Sequence, residues 1–277
     1  MQKIAHHITS FLHTQRLRGL LLCCAAVLTV TLTAFATSDK TTIYFYSSET
    51  SINNFKSLKM EFDRYLSRFG PYELQPFSDR DSFEKHIRNK EQYVLLLSSW
   101  HYSKIFKANA LIAALAGTRK GEKYQKRILV AKDESVKTGR IASASSIQHT
   151  ISYLKKMLKG KYEGEAPQIL TVPKDIDALM SVGFGMSRLA LTTSNALDEL
   201  QNINPALYQK MKVLAEGEKS LLLIVAVPER FSKDAQPILA AIKNMSADPE
   251  GREKLGMLGL DGWQGLDPSD TLTLETE

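Results

Sequence analysis

From residue 41 onward, apolar positions switch repeatedly between a period of two and a period near 3.6, which predicts strands exchanging with amphipathic helices. The first β-rich run is 42–46, Thr-Ile-Tyr-Phe-Tyr. In the next stretch, 52–69, Ile52, Phe55, Leu58, Phe62, Tyr65, Leu66 and Phe69 share one helical face, and Gly70-Pro71 ends it. A strand at 72–77 follows, then a helix at 78–89 with Asp79 and Asp81 near its start. Residues 93–97, Tyr-Val-Leu-Leu-Leu, are continuously apolar and suit a strand buried on both faces. Residues 100–116 read as one helix closed by Gly117. Further strands are expected at 127–131, 140–143, 168–172, 187–191, 212–215 and 221–227. Helices are expected at 146–158, 175–182, 194–200, 233–246 and 249–258, the last with Pro249 in its first turn. The tail from Asp267 is polar and is expected to fray.

Regular alternation of this kind predicts an α/β fold, with parallel or mixed sheets covered by helices on both faces. No repeat of solenoid period is visible, and no Pro- or Ser-rich linker divides the body. If the chain forms two lobes, strands must join them.

The first 36 residues stand apart. They carry Lys3, Arg16 and Arg18 but no acid, then an apolar stretch at 20–32, then Ala34-Phe35-Ala36. This predicts a secretory signal cleaved before Thr37, with retention as an N-terminal anchor the alternative. The apolar run is shorter than the ~20 residues needed to span a bilayer, which favours cleavage. Composition changes the picture little: 43% hydrophobic and 24% charged residues describe an ordinary folded protein and exclude a disordered chain, while the presence of only one long apolar segment excludes a polytopic membrane protein. The formal charge of +6 is partly a leader effect. Setting the three leader bases aside lowers the count of 36 bases to 33, against 30 acids. So small an excess argues against a nucleic-acid partner. Both cysteines, Cys23 and Cys24, lie in the leader, so the body can build neither a disulfide nor a thiolate site.

In open α/β sheets, ligands bind beyond the carboxyl ends of the strands. Ser47, Ser48, Glu49 and Thr50 follow the first predicted strand; Ser98, Ser99, Trp100, His101 and Tyr102 follow the buried one; Ala144, Ser145 and Ser146 follow the strand at 140–143. Small hydroxyl residues thus recur where helices begin. Helix N-termini present free N–H donors and a partial positive charge, a combination suited to an oxyanion or a carboxylate. Serines also cap helices with no ligand at all. Trp100 would wall a cleft and Tyr102 would donate its hydroxyl to an anion, unless both are core aromatics. His86, His101 and His149 show no metal-ligand spacing, and no nucleophile elbow, phosphate loop or zinc motif is present. No cofactor or metal is expected.

Three segments together are similar to one family. "RILVAKDESVKTGRIASASS" (127–146) resembles the central segment of the phosphate/phosphite/phosphonate-type periplasmic solute-binding proteins, where a hinge strand and a second strand precede a Ser/Thr pair opening a helix. "KDIDALMSVGFGMSRLAL" (174–191) and "MSADPEGREKLGMLGLDGW" (245–263) resemble that family's later helix–strand unit and its C-terminal ending. The resemblance covers about residues 41–265. It implies a two-lobed type II periplasmic-binding fold with two crossover hinge strands, near 128–132 and 221–227. Lobe one would comprise 41–130 with 225–266, lobe two 131–224, and a flexible tail 267–277. It further implies anion contacts at Ser145 and Ser146, with Ser99 and Tyr102 from the opposite lobe; Ser47, Ser48 and Trp100 complete the candidate ligand site. The family's S-T-S-G is Ser145-Ser146-Ile147-Gln148 here, and its strand aspartate is replaced near Ser187-Arg188. Lys174 or Arg188 would either supply positive charge for a different anion or face solvent.

The expectation is therefore a periplasmic, monomeric, non-enzymatic binding protein for a small anionic ligand, serving an ABC permease or, alternatively, a membrane sensor. It would touch the membrane only through an N-terminal anchor. An enzyme on this fold would need an acid–base residue in the cleft, for which Glu49, His101 and Asp175 are the candidates.

Overall fold

The computed structural model describes residues 40–50, 52, 54–136, 138–159 and 167–276; the expected leader lies outside the described residues. Among the described residues, strands numbered in chain order form two sheets. The first contains β1 (Thr41–Tyr46), β2 (Tyr72–Pro76), β3 (Tyr93–Leu97), β4 (Leu111–Thr118), β10 (Ile224–Pro228) and β11 (Gly262–Gly265), in the order β11-β4-β10-β3-β1-β2. The second contains β5 (Tyr124–Ala131), β6 (Ile141–Ser143), β7 (Ile169–Thr171), β8 (Leu189–Thr193) and β9 (Lys212–Leu221), in the order β7-β6-β8-β5-β9. β1 is parallel to β2 and β3, and β6 is parallel to β7 and β8, whereas β10, β4 and β11, like β5 and β9, run antiparallel to their neighbours.

Period-two burial explains why both faces of each sheet are covered. In the first sheet Ile43, Phe45, Val94, Leu96, Val225 and Val227 enter one core, while Tyr44, Tyr46, Leu95, Leu97, Ile224 and Ala226 enter the other. In the second sheet Ile128 and Val130 face one side and Leu129 and Ala131 the other. The helix Phe55–Leu66 buries Leu58, Phe62, Tyr65 and Leu66, and is capped by the Asn54 side chain accepting from the Ser57 N–H.

Two strand crossings join the lobes. β4 runs on into β5 through 119–123, and β9 into β10 through 222–223. The crossings lie side by side: the Gly117 N–H donates to the Leu223 carbonyl at 2.8 Å, and the Leu222 N–H to the Lys123 carbonyl at 2.9 Å. The second crossing falls where it was expected. The first does not, because 128–132 lies within or just past β5, which pairs with β8 and β9 along its length. The second sheet therefore begins at Tyr124 rather than at 131.

Two other expectations are corrected. The helix expected over 100–116 stops at Ile105, and the Ala-rich remainder is strand β4, held between β10 and β11. Alanine favours helix intrinsically, but the small side chains Ala116 and Gly117 fit a ladder crowded by neighbouring strands, and tertiary pairing overrides propensity. Nor is the tail frayed. Pro268–Thr276 is a helix whose Leu274 enters the core and whose Asp270, fully buried, accepts from the Lys123 ammonium at 2.6 Å and from the Tyr124 hydroxyl. The C-terminal helix thus clasps the first crossing. Residues Lys40–Glu277 form a single compact unit, and among the described residues no helix is long and apolar enough to cross a membrane.

Candidate functional site

The carboxyl ends of β1, β3 and β6 meet where the two lobes touch. On the first lobe, Ser47 and Ser98 share a hydrogen bond of 3.1 Å between hydroxyls, and the Trp100 indole N–H donates to the Ser48 hydroxyl at 3.3 Å. The second lobe reaches this point through the helix Asp175–Gly183, whose first N–H donates to the Ser48 carbonyl at 2.8 Å. It also reaches it through the helix Ile147–Leu158, whose His149 ring lies 5.4 Å from that of Trp100. The lobes are therefore in contact across the strand ends.

At this junction lies a buried guanidinium. Arg127, on β5, is 1% exposed, with one nitrogen 3.7 Å from Glu49 Oε1 and another 4.0 Å from Asp175 Oδ1. Gln125, two residues earlier on the same strand face, donates to Glu49 Oε2 at 2.8 Å. The Tyr153 ring lies 6.0 Å from the guanidinium carbon. Burial shifts the neighbouring groups. It pushes the Asp175 carboxyl up to about 6, against the opposing pull of Arg127 and the Ser48 hydroxyl. It pushes the His149 imidazole down to about 3, assisted by the Arg127 and Lys104 charges. The Tyr46 phenol is pushed up to about 12, again chiefly by burial.

Ser99 and Ser145, one from each lobe, are fully buried, and the hydroxyl of each makes no hydrogen bond among the described residues. Ser145 is held by its backbone, since its N–H donates to the Ser143 hydroxyl at 3.2 Å, which also accepts from Thr150 at 3.0 Å. A buried hydroxyl left without a partner costs roughly 1–3 kcal/mol. Two such groups, one from each lobe, mark this junction as chemically unfinished.

Among the residues expected to bind ligand, Ser47, Ser48, Ser99, Trp100 and Ser145 are therefore brought to the interlobe junction. Trp100 is a fully buried wall, stacked on His101 at 5.3 Å, with Arg80 5.8 Å from its ring. Two residues also make hydrogen bonds within the fold. The Ser146 hydroxyl accepts from the His149 N–H at 3.3 Å as a helix cap, a role that uses a lone pair and not its O–H donor. The Tyr102 hydroxyl donates to the Leu111 carbonyl at 3.2 Å, and its ring stacks on Phe106 in the core of the first lobe. Lys174 is half-buried, and its ammonium donates across the lobes to the Ile52 carbonyl at 2.7 Å. His101 hydrogen-bonds Glu84 at 3.0 Å; burial lowers the imidazole while Glu84 raises it, and the same bond pulls Glu84 down to about 2. Among the described residues no group of three or more His, Cys, Asp or Glu side chains is placed to hold a metal ion.

Sequence reasoning passed over Arg127, Gln125 and His149 as site residues. Their signal was weak: a Gln and an Arg with period-two spacing at the start of an otherwise apolar strand, and a lone histidine in the first turn of a helix.

A groove of about 400 Å³ opens from this junction between the lobes. Its polar lining includes Glu49, Gln125, Arg119, Asn195, Glu199 and Asn202, and Leu222 and Leu223 of the second crossing form part of its wall. Glu49 and Gln125 belong both to the groove and to the buried cluster, so the two are continuous. None of the candidate serines lines that groove.

Neither the family models nor the curated proteins searched match this chain. Solved structures do. XAC2383 from Xanthomonas citri, bound to chloride ion, superposes with a TM-score of 0.67 at 13% identity, covering 86% of this chain and 96% of that one. PhnD1 from Prochlorococcus marinus in complex with methylphosphonate gives a TM-score of 0.63 at 10% identity, covering 85% and 96%. A binding protein component of an ABC phosphonate transporter from Pseudomonas aeruginosa gives 0.61 at 12% identity, covering 84% of both chains. These likenesses define the class of fold: the chain has the two-lobed architecture of periplasmic binding proteins, with two strands crossing between the lobes.

Proposed function

We propose that this chain is an exported solute-binding protein that captures a small oxyanion, of the phosphate, phosphite or phosphonate kind, between its lobes and delivers it to an ABC permease. The observation that carries the reading is the Arg127 guanidinium, buried at the lobe junction together with the unpartnered hydroxyls of Ser99 and Ser145. Arg127 offers the planar donor fork that suits an oxyanion, and hydroxyls from both lobes allow the ligand to bridge them. Without ligand, Glu49 and Asp175 balance the guanidinium. An arriving anion takes over that role, and Asp175, whose proton affinity is raised, is the partner most readily neutralised. The ligands named for the structures above, chloride and methylphosphonate, are also anions. Closure about the crossings would bury the ligand and exclude water.

Thermal unfolding of the protein against phosphate, phosphite, methylphosphonate, sulfate and small carboxylates tests the reading. A ligand at 100 times its dissociation constant adds about 2.7 kcal/mol of stability. Ser99→Ala and Ser145→Ala should each weaken the binding anion about tenfold, the worth of a hydrogen bond to a charged group. If no anion gives a saturable shift, or both variants bind as the parent does, the assignment of this junction is wrong.

A further inference from the structure

The far end of the second lobe carries a feature that solute capture does not use. β6 and β8 run with their carboxyl ends toward the lobe junction, so their amino ends lie at the opposite edge of the sheet. The register places Leu189 beside Ile141 and Ala131, and Ala131 beside Lys212. Lys132, Arg140, Arg188, Lys210 and Lys212 are therefore gathered at this edge, and all are exposed. The acids in the same connections are Asp133 and Glu134, so the edge is net basic.

From the middle of these cations rises the turn after the helix Asp175–Gly183. Phe184 is 72% exposed and Met186 53%, and Val213, beside Lys212 on β9, is 44% exposed. This exposure is built in. The Phe184, Gly185 and Met186 N–H groups donate back to Met180, Val182 and Ser181, and Gly185 adopts a positive φ of 75°. Ser181 and Ser187 share a buried hydroxyl bond of 2.7 Å at the base of the turn, and Lys132 donates to the Gly183 carbonyl at 2.6 Å. The backbone of the turn is thus pinned with its two large apolar side chains exposed.

We propose that this edge docks on the surface of an anionic lipid bilayer, with Phe184 and Met186 entering the interface and the surrounding cations meeting the headgroups. A pinned apolar tip ringed by cations is the arrangement an anionic interface attracts: the rings and thioether bury in the acyl boundary, and each Lys or Arg held near the surface contributes on the order of 1 kcal/mol. Docking here leaves the junction around Arg127 untouched, so it stands independently of the proposed ligand.

Co-sedimentation of residues 40–277 with vesicles tests it, using phosphatidylcholine alone and phosphatidylcholine mixed with phosphatidylglycerol. The proposal expects binding to the mixed vesicles only, reversed in about 0.5 M salt, where exposed charges are screened. Phe184→Ser with Met186→Ser, and separately Arg188→Glu with Lys210→Glu, should each lower the partition about tenfold or more while thermal unfolding stays unchanged. Phe184→Trp should give a blue-shifted emission on the mixed vesicles. Equal recovery from both vesicle types, or binding by the Phe184→Ser/Met186→Ser variant at the parent level, would overturn it. Loss of self-association in that variant without any vesicle binding would likewise overturn it, assigning the face to a second copy of the chain.

Discussion

Asp175→Asn isolates the electrostatics of the lobe junction. The carboxyl is fully buried, and its pKa is raised from 3.8 to about 6, with burial the largest cause and Arg127 opposing. A raised acid pKa means that the folded state holds the proton more tightly than the unfolded chain does. The group's contribution is therefore fully present below pH 3.8 and is lost as pH rises toward 6. At about 1.36 kcal/mol per pKa unit, the ionised carboxylate costs the folded protein about 3 kcal/mol above that range. Asparagine has the same shape and no proton to lose. Urea unfolding of ligand-free parent and variant from pH 4 to 8, at equal m-values, should show a small difference near pH 4. It should then grow to about 3 kcal/mol in favour of the variant by pH 7.5. A variant equally stable or less stable at pH 7.5, or a gain that does not change with pH, would refute the reasoning. A variant that loses stability as pH rises would mean that Arg127 over-compensates the desolvation of Asp175, and a difference that does not change with pH would mean that it offsets it fully.

His149, pushed down to about 3 mainly by burial, should show no imidazole titration above pH 4 in NMR spectra, and a midpoint near 6.5 would place it in solvent. Leu274→Ala should cost about 2–4 kcal/mol of stability, because Leu274 is 1% exposed in the core beneath the first sheet; a change within 0.5 kcal/mol would return the C-terminal helix to a frayed tail. Gly251→Ala should also destabilise measurably, because a Cβ there would lie 2.2 Å from the Met245 carbonyl oxygen and 2.8 Å from the Tyr65 hydroxyl; an unchanged melting temperature would contradict that packing.

The strands buried on both faces were legible because nothing but a two-sided core suits a run such as Tyr93–Leu97. Helix starts were legible where a cap preceded an amphipathic face, as at Asp79 and Ser146. Ser146 also shows the limit of that signal: the hydroxyl pattern that marks a helix start resembles the pattern that marks an anion site, and the accepted His149 N–H shows that the cap is made. β4 was hidden because its alanines favour helix, and its partners β10 and β11 lie more than a hundred residues later. The C-terminal helix was hidden by its polar composition, although Asp267-Pro268 followed by Asp270 is a helix-start signal that the sequence carries. Arg127 could not be recognised locally. A basic residue entering a strand ordinarily faces solvent, and it is the meeting of β5 with the residues after β1 and with the helix starting at Asp175 that buries it.

The account turns on an oxyanion held at that meeting point, and co-crystallisation with the anion that most stabilises the protein tests this most directly. The ligand should lie against the Arg127 guanidinium, within hydrogen-bond distance of Ser99 Oγ and Ser145 Oγ, with the Glu49 or Asp175 carboxylate moved aside. An anion bound elsewhere, with Arg127 still flanked by both carboxylates, would contradict it.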